Sequence, residues 1–341
     1  MRSRLGLALI VSTIIFGFIL LEFERRWSSI LAIPSGGYHL AVSPGQSLRS
    51  VANHLHEQAV LPYPRLLLAY GRWSGLDKVV KQGEYLLPQY LDMQSLMNLL
   101  SEGKVIHYQL TLPEGITLQQ ALTLLESEKG LAHVLDGPSD ARILSLIAPH
   151  TNPEGLFFPD SYRYERGTTD WQILQRSYQR MQSVLAQEWS AKSAGLPYVD
   201  SYEVLAMASI IERETGLAQE RAQIAGVFVR RLQKNMRLQT DPSVIYGLGE
   251  SFDGNLRRAD LEDESNPYNT YRHGGLPPSP IALPGREAIH AALNPAEGDS
   301  LYFVARGDGG HVFSATLAEH QKAVKKYQLR RRADYRSSPE T

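Results

Sequence analysis

The stretch "SIIERETG", residues 209–216, puts two carboxylates at the end of a segment that is otherwise apolar. From 204 to 211 every residue except Ser209 is apolar, and a helix apolar all round is a buried helix. Asp200 or Ser201 supplies its N-terminal cap, so the helix carries Glu212 and Glu214 into or against a core. Buried carboxylates are costly, and chains that keep them tend to use them. Residues two apart on a helix point about 200° away from each other, given ~3.6 residues per turn. The two glutamates therefore cannot form a facing acid and base, and only one can be the working acid. Glu214 stacks on Ile210, Ile211 and Met207, whereas Glu212 stacks on Ala208 and Ser209. An apolar surround raises a carboxyl pKa, the condition for a general acid near neutral pH, and this favours Glu214. The competing expectation is that both pair with Arg213, Arg221 or Arg230 as structural ion pairs.

Several elements must position such an acid. Gly216 is expected to break the helix, and "AQERAQIAGVFVRRLQ" forms a buttressing helix with Ile224, Phe228 and Leu232 on one stripe and Asn235 as its stop. "MRLQTDPSVIYGLG", 236–249, reads as a short strand-like segment. "NPYNTYRHGGLPPSPIALPG", 266–285, reads as a long ordered loop, a type that is often functional. "SLYFVARGDGGHVFSATLAEHQKAV" reads as a hairpin over "RGDGG" followed by a helix. The aromatics of "NPEGLFFPDSYRYERGTTD", 152–170, form either a sugar-stacking wall or a loop packed onto the core.

Earlier in the chain a unit recurs. "HLAVSPGQSLRSVANHL" gives a strand, a turn at Gly45, a cap at Ser47 and apolar residues at 48, 51, 52 and 55. "YQLTLPEGITLQQALTLL" repeats it with Gly115, Thr117 and apolar 118, 121, 122 and 125, and "GEYLLPQYLDMQSLMNLL" is a partial echo. The pattern is that of a small α+β module similar to LysM, over 37–126, ahead of a mixed α+β domain over 127–330. Residues 5–21, "LGLALIVSTIIFGFILL", carry no charge and as a helix span about 26 Å at ~1.5 Å per residue, which fits an uncleaved membrane anchor. A tail at 1–4 precedes it, a connector follows at 22–36, and 331–341 form a basic and polar tail. Arginines on both flanks leave its orientation open.

Composition narrows the chemistry. A formal net charge of −1 over 341 residues points to no nucleic acid partner. The absence of cysteine removes disulfides, Fe–S clusters and thiolate zinc sites. His54 and His56 fall on different sides of their helix and no His-Glu-x-x-His occurs, so no metal is expected. No Walker or Rossmann glycine pattern appears, so no nucleotide or other cofactor is expected either.

"ASIIERETG", "VFVRRLQKNMRLQTDPSVIYG", "YNTYRHGGLPPSPIALPG" and "YFVARGDGGHVFS" closely resemble the MltG (YceG-like) family of membrane-anchored endolytic murein transglycosylases. The resemblance extends over nearly the whole chain, including "PGQSLRSVANHL" and "PEGLFFPDSY". It implies cleavage of the β-1,4 bond between N-acetylmuramic acid and N-acetylglucosamine within glycan strands, leaving 1,6-anhydro ends. Glu214–Thr215 matches the helix-end pair that carries the family's catalytic acid, and Gln239, Asp241, Asn269 and Tyr271 become candidates for holding the sugar and the developing charge. It also implies a single-pass protein of the cytoplasmic membrane, with its soluble part outside, working near peptidoglycan synthases. Two other readings are a non-catalytic peptidoglycan-binding scaffold and a hydrolytic muramidase with Asp241 as second carboxylate.

Overall fold

The recurring strand, turn and helix pattern is borne out in the computed structural model, which describes residues 2–329. The chain divides into two units, Met1–Tyr108 with Arg163–Thr168, and Gln109–Tyr162 with Thr169–Thr341.

In the first unit, helix α1 (Arg2–Trp27) leads to strand β1 (Tyr38–Val42), helices α2 (Leu48–Glu57) and α3 (Pro64–Ser74), strand β2 (Gly83–Leu87) and helix α4 (Met93–Glu102). β1 and β2 pair antiparallel from Tyr38 opposite Leu87 to Val42 opposite Gly83. Ser47 caps α2 by accepting from Ser50 N, and the expected stripe Leu48, Val51, Ala52 and Leu55 is buried. Asp92 does the same for α4 through Ser95 N, burying Met93, Leu96, Met97 and Leu100 on the same core. Part of the expected connector belongs to this core, since Leu31 and Ile33 are buried and Leu31 N donates to Leu91 O at 2.8 Å. Among the described residues no helix is long and apolar enough to cross a membrane. The expected span 5–21 lies within α1, but the side chains of residues 1–9 lie outside those described, as does the expected tail 331–341.

Strand β3 (His107–Thr111) and helix α5 (Leu118–Ser127) are the second copy of the pattern. Gly115 has φ +76°, matching Gly45 at φ +75°, the left-handed turn that glycine takes without a Cβ clash. Thr117 and Gln120 close a full capping box on α5. The unit division falls inside β3, so α5 belongs to the second unit rather than with the first copy. The physical reason is its bonding: Gly115 N donates to Leu283 O, and Leu283 N to Ile116 O.

The second unit continues with helix α6 (Ala141–Ile147), strand β4 (Ser161–Glu165), which pairs with β3 and of which only Ser161 and Tyr162 belong to this unit, and helix α7 (Asp170–Ser190). Phe157, Phe158 and Tyr162 of the aromatic segment are buried, so they pack the core and form no open stacking wall. Then come α8 (Ser201–Glu214), α9 (Ala218–Gln233), α10 (Asp241–Leu248), α11 (Arg258–Glu262) and α12 (Arg286–Leu293). The chain closes with strands β5 (Tyr302–Ala305) and β6 (His311–Ser314), the expected hairpin, and helix α13 (Leu317–Tyr327). α8 packs against α9, α10 and α12, which is why 204–211 are buried on every side. The strand-like reading of 236–249 is corrected: Pro242 stands in the first turn of a helix there, where its missing N–H costs nothing.

Candidate functional site

Asp200 starts α8 by accepting from Tyr202 N and Glu203 N at 2.9 and 3.0 Å. At the other end Thr215 turns extended (φ −148°, ψ 136°), so the helix ends two residues before Gly216 and delivers Glu214 at its last position. Ser209, the one polar residue in the apolar run, donates to Ala206 O and accepts from Ile281 N at 2.9 Å. It thereby pins the 266–285 loop to α8.

The two glutamates go separate ways. Glu212 accepts from Gly285 N at 2.9 Å and from Arg221 at 3.3 Å. Burial pushes its pKa up, against the pull of those two partners. This is the ion-pair expectation, met for Glu212 with Arg221. Arg213 between them donates to Gly115 O at 3.1 Å. Among the described residues Glu214 has no such ion pair. Its Oε1 accepts a hydrogen bond from Thr240 Oγ1, and its carboxyl is enclosed although the residue keeps an edge of partial exposure. Burial pushes its pKa up to about 7; the nearby Asp241 charge adds to this, while the Thr240 hydroxyl and Arg231 oppose it.

Thr240 is itself fixed. Its N donates to Thr270 Oγ1 at 3.0 Å, Ser243 Oγ donates to Thr240 O at 2.9 Å, and the Ser243 and Thr270 hydroxyls lie 2.9 Å apart. All three residues are buried, so Glu214 faces a hydroxyl held in one place.

Of the other expected site residues, Asp241 and Tyr271 come together beside Glu214. Tyr271 OH donates to Asp241 Oδ1 at 2.6 Å, and burial followed by the Asp241 charge raises the phenol's pKa. Gln239 sits next to Thr240 with a left-handed backbone, φ +53°, held by its N–H on Thr270 O at 3.2 Å. Asn269 is placed differently. It is fully buried, its amide donates to the carbonyls of Asp260, Leu261 and Asp263, and its oxygen accepts from Tyr271 N at 3.0 Å. That side chain is consumed in shaping the loop that presents Tyr271.

Sequence reasoning passed over two groups. Arg231 is buried and donates to Leu238 O at 2.7 Å and Leu301 O at 2.6 Å, holding the segment that leads into Gln239 and Thr240. Its signal was positional, three residues after Phe228 on the buried stripe of α9. Glu154 is buried, accepts from Leu118 N at 2.9 Å and Tyr246 OH at 3.2 Å, and is pushed up to about 7 by burial. Its signal was an acid inside "NPEGLFFP".

A single enclosed carboxyl poised near neutrality can give a proton to a leaving group and then take one from a nucleophile. Among the described residues no cluster of side chains suits a metal ion.

Comparison with known proteins adds to this geometry. A protein of Bacillus subtilis named endolytic murein transglycosylase is 31% identical over 307 residues, covering 85% of this chain and 84% of that one. A Streptococcus pneumoniae protein of the same name is 27% identical over 319 residues, which is 84% of this chain and 57% of that longer one. The crystal structure of a YceG-like protein from Listeria monocytogenes matches with a TM-score of 0.53 at 29% identity, covering 85% of this chain and 99% of that one. The model of the YceG-like family matches residues 40–326, nearly the full length, and the chain belongs to that family.

Proposed function

We propose that the protein is an endolytic murein transglycosylase, a lyase that cuts the N-acetylmuramic acid to N-acetylglucosamine bond within peptidoglycan strands. The name carried by its relatives supports this. The observation that carries the mechanism is the enclosed Glu214 carboxyl, raised to about 7 and bonded to one fixed hydroxyl.

Protonated Glu214 donates to the glycosidic oxygen as the C1–O bond breaks through an oxocarbenium-like state. The resulting carboxylate takes the proton of the muramic C6 hydroxyl, whose oxygen closes on C1. Water is neither consumed nor released, and Glu214 ends protonated as it began. Thr240 occupies Oε1, which leaves Oε2 for the transferred proton. Asp241, Tyr271 and Gln239 hold the sugar, with Asp241 in addition providing negative charge beside the cationic transition state. A hydrolytic route would need Asp241 free to activate water, but one of its oxygens is taken by Tyr271, which favours the substrate's own hydroxyl as nucleophile.

The same reading places the protein in the cytoplasmic membrane with its folded units outside. Its support is a continuous helix from Arg2 to Trp27 whose Ile14, Phe16, Phe18 and Leu21 are exposed apolar side chains. The β1-α2-α3-β2 arrangement supports a LysM-like, glycan-binding role for the first unit, and a peptidoglycan synthase is the protein partner that such activity would serve.

The test is mass spectrometry of products from long glycan strands. Internal fragments ending in anhydromuramic acid, lost with Glu214→Gln, are expected. Reducing ends heavier by one water would replace this reading with hydrolysis. Strand binding without cleavage by the parent protein would leave only a scaffold.

A further inference from the structure

One face of α10 borders a second space. Pro242, Ile245 and Tyr246, at the i, i+3, i+4 spacing that puts residues on one helical stripe, line a cavity of about 830 Å3 together with Gly249 just past the helix end. That volume falls within the ~300–1,000 Å3 of small-ligand sites. Glu214 is not among the lining residues, but α10 starts at Asp241, and Asp241 to Tyr246 is about 7.5 Å of helix axis at ~1.5 Å per residue. Glu214 itself ends α8, whose Arg213 also lines the cavity, so cavity and acid are joined through two elements packed on each other, α8 and α10.

The walls combine rings with a few fixed polar groups. Tyr246 and Tyr268 meet edge to face with centroids 4.8 Å apart, and Phe252 adds a third ring. Glu154 lines the same cavity from a buried position, oriented by Leu118 N and Tyr246 OH. Burial keeps a large fraction of it protonated at neutral pH, so it can donate as well as accept. The charged lining residues are Glu154, Glu250 and Arg213, a balance that gives no attraction to an acidic peptide. Aromatic faces, a carboxyl able to donate and no excess positive charge suit a neutral, N-acetylated sugar, whose flat C–H face stacks on a ring.

We propose that this cavity is a sugar subsite, holding an N-acetylated pyranose of the strand next to the bond presented to Glu214. It rests on the transglycosylase reading for the identity of the strand. Phe252 supplies a stacking face, and Glu154 and Tyr246 bond the sugar's hydroxyl or acetamido groups. Because the subsite is separate from the reacting atoms, it governs how tightly a strand is held and where along it the cut falls.

The test uses the full chain in detergent, carrying Glu214→Gln so that nothing is cleaved, with chitotetraose as the probe in calorimetry. Phe252→Ala removes a ring and Leu144→Trp fills the mouth; Leu144 is 41% exposed and Phe252 is partly exposed, so neither change strips the core. Each is expected to weaken binding about tenfold, and in the Glu214-containing protein to raise KM for long strands by a similar factor at unchanged kcat. Unchanged binding and KM in both variants would overturn the subsite while leaving the transglycosylase reading intact. No binding of the probe by the parent would overturn it as well. Stem tetrapeptide displacing the probe from the parent but not from Leu144→Trp would overturn the sugar assignment. Weakened probe binding in both variants, with no cleavage of long strands by the Glu214-containing protein, would uphold the subsite and sink the transglycosylase reading.

Discussion

On the two sides of the α8 terminus, the same side chain meets different direct partners. Glu212 is met by a guanidinium and a backbone N–H that both favour its charged form. Glu214 is bonded only to a neutral hydroxyl, with the Asp241 carboxylate and the Arg231 cation acting from further off, as the Glu114 carboxylate does on Glu212. Burial raises both pKa values, but only Glu214 lacks a dedicated counter-ion and reaches about 7. The difference teaches that burial by itself does not make an acid. A buried carboxylate given a cation is a strut between α8, α9 and the 266–285 loop, whereas one given a hydroxyl is held closer to its neutral form.

The sharpest way to break this comparison is to neutralise each in turn. Glu214→Gln is expected to lower kcat by about a thousandfold, within the usual range for losing a general acid, with the melting temperature unchanged or higher. Glu212→Gln should instead leave most of the kcat and cost about 2 kcal/mol of stability, because the largely buried Arg221 is left with only its longer contact to Glu114 at 3.8 Å. Activity and denaturant titrations on both variants check this; equal kcat losses would end the division of roles.

Next in size is the pH dependence of stability. The folded Glu154 carboxyl titrates near 7 against 4.5 for the ordinary group, so between those values the native state binds more protons than the unfolded one. Its contribution is therefore neutral below about 4.5, turns unfavourable as pH rises through that window, and is fully unfavourable above 7. Glu154→Gln is expected to flatten the fall in stability between pH 5 and pH 8 by about 2 kcal/mol, measured by urea unfolding at each pH. A parallel pair of curves would show that Glu154 is charged throughout.

The smallest effects should sharpen the picture at Glu214 itself. The Thr240 hydroxyl lowers the Glu214 pKa and the Asp241 charge raises it. Thr240→Val should shift the alkaline limb of the kcat profile upward by about half a pH unit, Thr240→Ser should restore it, and Asp241→Asn should shift it downward. Movement in the same direction for Thr240→Val and Asp241→Asn would mean that at least one of them does not act on Glu214 as its position implies.

Much of the local architecture was legible because its causes are local. Ser47, Thr117 and Asp200 cap the helices that follow them, since a cap involves residues two or three apart. The stripes on α2 and α5 are buried because helical spacing alone puts them on one face. The helix α10 was not read, although Pro242 marked its start, because "SVIY" is rich in residues that also suit a strand. Asn269 looked like a ligand residue among polar neighbours, but its bonds go to carbonyls of 260–263 that spacing along the chain does not reveal.

By itself, the sequence determined that α8 is a buried helix, that it ends in two diverging glutamates, and that capped strand-turn-helix units precede it. Those properties follow from periodicity and short-range hydrogen bonding. Only the tertiary structure decided which partners each glutamate meets, because Arg221, Gly285 and Thr240 reach α8 from separate segments of the chain. It also decided that Glu154 and Tyr246, 92 positions apart, share a cavity. A pKa is set by whatever surrounds a group in space, and that surrounding exists only once distant segments have packed.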